Sequence, residues 1–343
     1  MKVAVIRFSA LGDILILLPL LKKLQREHEG LEITMVSRPY LAPLFVKQGL
    51  GFFAADIDKK YRGLPGLNRL ASALRRELKP ELIIDQHQVL RTQILGAHFK
   101  LSRVPFFQIR KDRPGRKALT AYPDKRFAPL TPVYEQYRQT FAKAGFTFSF
   151  DPARDAQITY ALDPATQKFW QENKSELNIA VAPLAKHDTK IWPLEKQAEL
   201  WRGWEDASGL KLWFLGGPAE RQVLEDLARN CGQDYVVLAG RFKLDQEMAL
   251  LAQMNAALTM DSSNMHLAAL SGIPVVSVWG STHPYAGFAP YGANEKGRVQ
   301  IPHEELDCRP CSIFGAKPCF RGDHACMQWI SPQQVAEKLR AVL

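Results

Sequence analysis

Between Ala256 and Trp279 the chain runs from an apolar stretch, Ala256 to Met260, through the polar cluster Asp261-Ser262-Ser263-Asn264. It then passes Met265, Leu267, Ala268 and Leu270, turns at Gly272-Ile273-Pro274 and enters a second apolar stretch, Val275 to Trp279. Apolar runs this short read as buried strands, and the residues between them read as a helix with several N-cap candidates and a glycine-proline stop. A strand, helix and strand joined so closely form a right-handed parallel crossover, whose helix opens at the carboxyl edge of the sheet, where ligands bind. Unpaired N–H groups and the positive dipole end at that opening attract an anion, and the hydroxyls of Ser262 and Ser263 add donors suited to phosphate. The expected ligand is phosphorylated.

The same alternation fills the chain. Lys2 to Phe8 reads as a first strand, Ser9-Ala10-Leu11-Gly12-Asp13 as a tight turn, and Ile14 to Glu27 as the helix after it. Strands at Ile33 to Val36 and Leu82 to Asp85 and a basic amphipathic helix at Arg69 to Leu78 follow. Arg110 to Pro132 is polar, proline-rich and long for a connection, which marks a mobile functional loop, and Tyr134 to Gly145 closes the first half as a helix. Asp151-Pro152 and Asp163-Pro164 punctuate a candidate boundary, after which the pattern restarts with strands at Asn178 to Ala182, Lys211 to Leu215 and Tyr235 to Leu238. Helices are expected at Pro193 to Trp204, Ala219 to Ala228, Leu244 to Asn255 and Pro332 to Leu343. Two such halves predict an α/β chain with two doubly wound parallel sheets, domains 1–160 and 161–330, and ligand in the cleft between them.

A chain of 343 residues exceeds what one core normally supports, in keeping with two domains. Its longest apolar runs fall short of the roughly 18 to 20 residues that span a bilayer. The N-terminus starts at once with a strand and lacks the basic start and cleavage site of a signal peptide, which predicts a cytoplasmic protein. The net charge of +10 is one-sided: residues 1–160 hold 27 Lys and Arg against 14 Asp and Glu, and the remainder holds 18 against 21. The first half is therefore expected to meet an anionic partner, whether a phosphorylated acceptor, a membrane surface or nucleic acid, or else to carry only a solvated basic surface.

Four short motifs in order carry a family likeness: Phe8-Ser9-Ala10-Leu11-Gly12-Asp13 after the first strand, Lys190-Ile191-Trp192-Pro193, Asp261-Ser262-Ser263-Asn264-Met265-His266, and a cysteine-bearing loop near the C-terminus. Together they resemble glycosyltransferase family 9, the ADP-heptose:lipopolysaccharide heptosyltransferases. That resemblance implies a GT-B architecture, with acceptor bound by the first Rossmann-like domain, nucleotide-sugar donor by the second, and a C-terminal helix, 331–343, crossing back to the first. It also implies inverting transfer of heptose from ADP-heptose to an inner-core lipopolysaccharide acceptor, by an enzyme peripheral to the cytoplasmic face of the inner membrane. The chain departs from the family pattern at Ser263, where glycine is usual, and at His283, where Asp is usual.

Glycosyl transfer to a hydroxyl needs a base for the acceptor proton and a stabiliser for the departing diphosphate. Asp13 is the candidate base, since it follows a glycine at the end of the first strand and the matching family residue is regarded as catalytic; its plainer role is to cap the next helix. Lys190 is placed by the resemblance on the donor phosphates, as catalytic and donor-binding residue. Gly12, Asp261, Ser262, Ser263, Met265 and His266 complete the donor-binding set, with core packing as the alternative for Met265 and His266. The run Ser9 to Gly12 lacks the Gly-x-Gly-x-x-Gly spacing of a dinucleotide site. Cys308-x-x-Cys311, Cys319 and Cys326 have spacings that suit a structural zinc or packed reduced thiols, with Cys231 apart. No cofactor and no catalytic metal are expected, because GT-B enzymes as a class do not depend on one. The competing readings are the same fold with another nucleotide sugar, and a non-catalytic polyanion-binding protein. No helix-turn-helix or aromatic-interleaved basic motif points to nucleic acid.

Overall fold

The computed structural model describes residues 1–204, 208–292 and 295–343. They divide into two compact units, Met1–Asp112 with Thr131–Ala156 and Arg113–Leu130 with Gln157–Leu343.

The first unit is built from β1 (Lys2–Ile6), α1 (Leu11–Glu27), β2 (Glu32–Ser37), α2 (Ala42–Val46), β3 (Gly51–Ala54), α3 (Gly63–Ala73), β4 (Leu82–Asp85), α4 (Leu90–Leu101) and β5 (Phe106–Gln108). The chain then forms α5 (Arg113–Leu119) in the second unit and returns with α6 (Val133–Lys143). The five strands are all parallel, in the order β3-β2-β1-β4-β5. Val3, Ala4, Val5 and Ile6 of the central strand are buried on both faces, which is why β1 reads as an unbroken apolar run rather than an alternation. Right-handed crossovers place α3 and α4 together on one face, where they pack against each other, and α1 with α6 on the other. The sequence reading lacked β3, β5, α2 and α4, and placed the start of α3 too late; a π-helical turn at Leu74–Leu78 extends α3.

The second unit continues with α7 (Pro164–Asn173), β6 (Leu177–Ala182), α8 (Leu194–Arg202), β7 (Leu210–Phe214), α9 (Arg221–Asn230), β8 (Asp234–Val237), α10 (Leu244–Leu251), β9 (Ala256–Met260), α11 (Ser263–Leu270), β10 (Val275–Val278), β11 (Arg298–Val299), α12 (Ala325–Gln328) and α13 (Pro332–Arg340). Its six parallel strands run β11-β10-β9-β6-β7-β8, with Val275 opposite Ala257 and Ile179 opposite Ala256. The expected crossover is present, with β9, α11 and β10 within one or two residues of their predicted limits. Helix α7, read only as punctuation in sequence, is capped by Asp163, whose carboxylate accepts from the N–H groups of Ala165 and Thr166, and it seats Trp170 on Trp213.

Three assignments of the expected domains change. The second unit begins by residue 157, because the Ile158 N–H donates to the Leu270 carbonyl at 2.7 Å. Residues 113–130 are a strap that belongs to the second unit: Phe127 stacks on His303 with ring centroids 3.9 Å apart, and Leu130 N–H donates to Tyr285. The C-terminal helix α13 is grouped with the second unit. Its apolar stripe, Val335 and Leu339, is wholly buried in the core that holds Trp201, Trp204 and Val276.

Candidate active site

In the first unit the polar side chains gather where β1, β4 and β5 end. Asp13 lies in the first turn of α1, one residue after Gly12, and its side chain is only 16% exposed. The carboxylate is held from two sides: Arg7 reaches Oδ2 at 2.7 Å, and the Tyr137 hydroxyl donates to Oδ1 at 3.1 Å. Arg7 follows β1 directly, donates also to the Gln86 carbonyl and lies under the Tyr137 ring. Burial alone would lower its pKa, but Asp13 and Tyr137, with Asp85 beyond them, carry it above the ordinary value.

His87, two residues past β4, stands beside this pair. Its Nε2 is 3.3 Å from the Ser9 hydroxyl, and Asp85 accepts from its backbone N–H at 2.8 Å and from Gln108 at 2.6 Å. Burial, with help from Arg7 and Lys111, pushes the His87 imidazole down to about 3, so it is neutral at physiological pH. Sequence reasoning found Asp13 but not Arg7, His87 or Tyr137. For Arg7 and His87 the available signal was position: residues just past the end of a parallel strand lie at the ligand edge.

In the second unit Asp261 follows β9 and accepts from Lys190 Nζ at 2.9 Å and from the Thr282 hydroxyl at 2.7 Å. The pair is well covered, with side-chain exposures of 13% and 10%. Lys190 closes a 3-10 turn, Asp188–Lys190, that is laced to two loops. Ser281 donates to the Thr189 hydroxyl at 2.9 Å, and Thr189 donates to the Gly315 carbonyl at 2.7 Å. The loop after β10 is held by Arg309, an arginine only 1% exposed, which donates to the carbonyls of Trp279, Gly280, Thr282 and Ile301. Burial lowers that guanidinium to about 10. No local pattern advertised Arg309.

Ser262 is the N-cap of α11 and Ser263 its first residue, both partly exposed. The Ser262 Oγ is buried without a hydrogen-bond partner among the described residues, so the helix entrance carries an unused polar group. Met265 is fully enclosed and His266 is 4% exposed, so both side chains are packed in the core of this structure. Gly12 lies in the first unit, while the other donor candidates lie in the second. His283, in the place of the family's Asp, is buried and accepts from the Tyr285 N–H at 3.1 Å; burial and then Arg309 push it down to about 3.

For the cysteines, a structural zinc and packed reduced thiols are the two expectations. Among the described residues no three His, Cys, Asp or Glu side chains converge as a metal-holding group, and all five thiols are free. Burial lifts Cys326 to about 12 and raises Cys308 and Cys311, so these thiols are protonated as they stand. The chain holds one Asp-x-Asp, the spacing that can carry a divalent cation, at Asp56-Ile57-Asp58. Asp58 is tied to Arg38 at 2.5 Å, and Asp56 accepts from the Lys59 N–H in an exposed turn.

Comparison with known proteins decides the family, since the sequence profile of glycosyltransferase family 9 (heptosyltransferase) matches residues 109–312, more than half of the chain. The chain belongs to glycosyltransferase family 9. It is a glycosyltransferase, and its two parallel α/β units are of the GT-B class. Among curated relatives, the lipopolysaccharide heptosyltransferase 2 of Escherichia coli is 25% identical, covering 100% of this chain and 99% of that protein. The lipopolysaccharide core heptosyltransferase OpsX of Haemophilus influenzae is 22% identical, covering 89% of this chain and 85% of the relative. Among solved structures, the family 9 glycosyltransferase of Veillonella parvula superposes with a TM-score of 0.77 at 18% identity, covering 99% and 97% of the two chains. The Escherichia coli ADP-heptose lps heptosyltransferase II gives 0.68 at 18% identity, with 100% and 98% covered.

Proposed function

We propose that this family 9 enzyme moves a heptosyl group from ADP-heptose to an inner-core lipopolysaccharide acceptor, with inversion, at the cytoplasmic face of the inner membrane. The observation that carries the reading is the covered Lys190–Asp261 pair beside the entrance of α11, where the Ser262 hydroxyl has no partner among the described residues. A diphosphate would occupy such an entrance, taking N–H groups and the ammonium as donors. Asp261, itself an anion, orients Lys190 and Thr282 rather than touching phosphate.

Asp13 is the base in this reading. The acceptor O–H gives its proton to Asp13 as its oxygen bonds to the anomeric carbon. The bond to the diphosphate breaks on the opposite side, and its electron pair leaves with ADP. Arg7 and Tyr137 hold the carboxylate in one orientation, and supply no proton sink of their own. His87, with its pKa near 3, is a feeble base at neutral pH and takes the role of a neutral hydrogen-bonding neighbour. Lys190 and the α11 N–H groups take up the charge of the leaving group, so no catalytic divalent ion is invoked. No helix of the described residues is long and apolar enough to cross a membrane, so access to a lipid-linked acceptor would be from the surface.

The test combines ligand and chemistry. Thermal shifts are measured with ADP, UDP and GDP and their sugars, and transfer is assayed for the wild type and Asp13→Ala, with and without chelator. We expect ADP-heptose to give the largest shift, chelator to leave turnover unchanged, and Asp13→Ala to lose on the order of 10²- to 10⁴-fold in kcat while keeping the shift. Near-normal turnover by the variant would remove Asp13 from the base role. A larger shift with a uridine or guanosine sugar would replace the donor.

A further inference from the structure

The first unit presents two unlike helical layers. On one, residues 62–79 and 90–103, which hold α3, its π-helical extension and α4, contain eight Lys and Arg and a single acid, Glu77. All eight basic residues are exposed. The two helices lie side by side, since Asn68 meets His98 and Arg75 meets Ser102. Three leucines protrude from the same layer, with Leu64 63%, Leu90 72% and Leu101 85% exposed. Leu64 and Leu90 open their helices and Leu101 ends one, so α4 alone carries protruding apolar groups about 16 Å apart along its axis. On the other layer part of the charge is paired, Lys23 with Glu27 and Asp155 and Arg138 with Glu135, while Arg26, Lys47 and Lys143 are exposed there.

We infer that the α3–α4 layer is the surface by which this protein docks on an anionic lipid membrane, leucines entering the headgroup region and arginines meeting lipid phosphates. A folded domain normally turns leucines inward, and three of them on one strongly cationic layer have no role in the core, which α3 serves through Leu67 and Leu70. Cationic side chains alternating with protruding aliphatic ones form the pattern of a helix lying in the membrane interface, where electrostatic attraction and apolar insertion add. A nucleic acid would use the charge and leave the leucines in water. The inference rests on the reading that the acceptor is lipid-linked, and it adds which face meets the bilayer.

The experiment is co-sedimentation of the full-length protein with vesicles of phosphatidylcholine alone or mixed with phosphatidylglycerol, at low and high salt. Three variants are compared: Arg76→Glu/Arg91→Glu/Lys100→Glu, Leu64→Ser/Leu90→Ser/Leu101→Ser, and, as a control of equal charge change on the other layer, Arg26→Glu/Lys47→Glu/Lys143→Glu. The wild type is expected to bind the anionic vesicles only, the first two variants to lose at least about tenfold in partitioning, and the control less than about twofold. Melting midpoints and turnover of a water-soluble, deacylated acceptor should stay at wild-type levels in both face variants. Equal loss in the control would reduce the effect to net charge. Undiminished binding by the leucine variant, or complete displacement of vesicles by duplex DNA, would overturn the membrane assignment. If no variant and no wild type transfers sugar, the proposed activity fails while the vesicle result still reads the surface.

Discussion

Tyr137 and Arg7 approach Asp13 from opposite oxygens, one donating a neutral hydroxyl from a helix more than a hundred residues later and the other forming an ion pair from the end of the preceding strand. A hydrogen bond to a charged group is worth about 1.5–3 kcal/mol, so if the contact strengthens the reactive orientation its loss should be visible in turnover. Tyr137→Phe removes the hydroxyl and leaves the ring on which Arg7 lies. The expected result is a fall of roughly tenfold in kcat with KM for the donor unchanged; an unaltered kcat would make Tyr137 a packing residue. At this scale the sequence showed the chemistry-bearing acids but not their partners. Asp13 and Asp261 stand out because each lies where a strand gives way to a helix. Tyr137 and Arg309 have no such local mark, since their roles come from what α6 and the loop after β10 bring beside them.

Among the elements, the 3-10 turn Asp188–Lys190 depends on a loop more than a hundred residues later. Gly315 has φ +83°, and a Cβ there would sit 2.4 Å from Lys190 Cδ, so the loop can come this close only because the residue is glycine. Gly315→Ala would strain the backbone by about 1–2 kcal/mol and push the lysine stem away from Asp261. The prediction is about a tenfold weaker apparent affinity for ADP in a thermal-shift titration, with a modestly lowered melting midpoint. Unchanged ADP affinity would separate this loop from the donor site. Elements differed in how readable they were. β9 and β10 were plain in sequence because each is a continuous apolar run flanked by turn residues. β3 and β5, four and three residues long, are too short for any period to emerge, and α4 turns so many apolar residues outward that its pattern does not resemble a core helix.

For the whole molecule, three buried titratable groups set a pH optimum of stability. His87 and His283 are held near 3, mainly by burial, against an ordinary value of 6.5. Between pH 6.5 and 3 the unfolded chain takes up protons that the folded one refuses, so stability falls as pH drops through that window. Glu247 acts in the opposite sense, because burial lifts its pKa from 4.5 to about 8. The unfolded chain there releases its proton first, and stability falls as pH rises from 4.5 towards 8. Each group contributes at most ~1.4 kcal/mol per pH unit. The melting midpoint is expected to peak near pH 6.5, Glu247→Gln to flatten the fall on the alkaline side, and His283→Asn to soften the fall on the acid side; a Glu247→Gln profile parallel to that of the wild type would contradict the account. By itself the sequence determined the α/β class, the succession of two parallel sheets and the acids at the ends of their strands, because strands buried on both faces and helices with caps are written in contiguous residues. Only the tertiary structure decided that residues 113–130 and α13 belong to the second unit, that Met265 is core, and that Lys190 meets Asp261 and Thr282. Those outcomes depend on the strand orders β3-β2-β1-β4-β5 and β11-β10-β9-β6-β7-β8, which juxtapose residues distant in the chain through packing that no local pattern encodes.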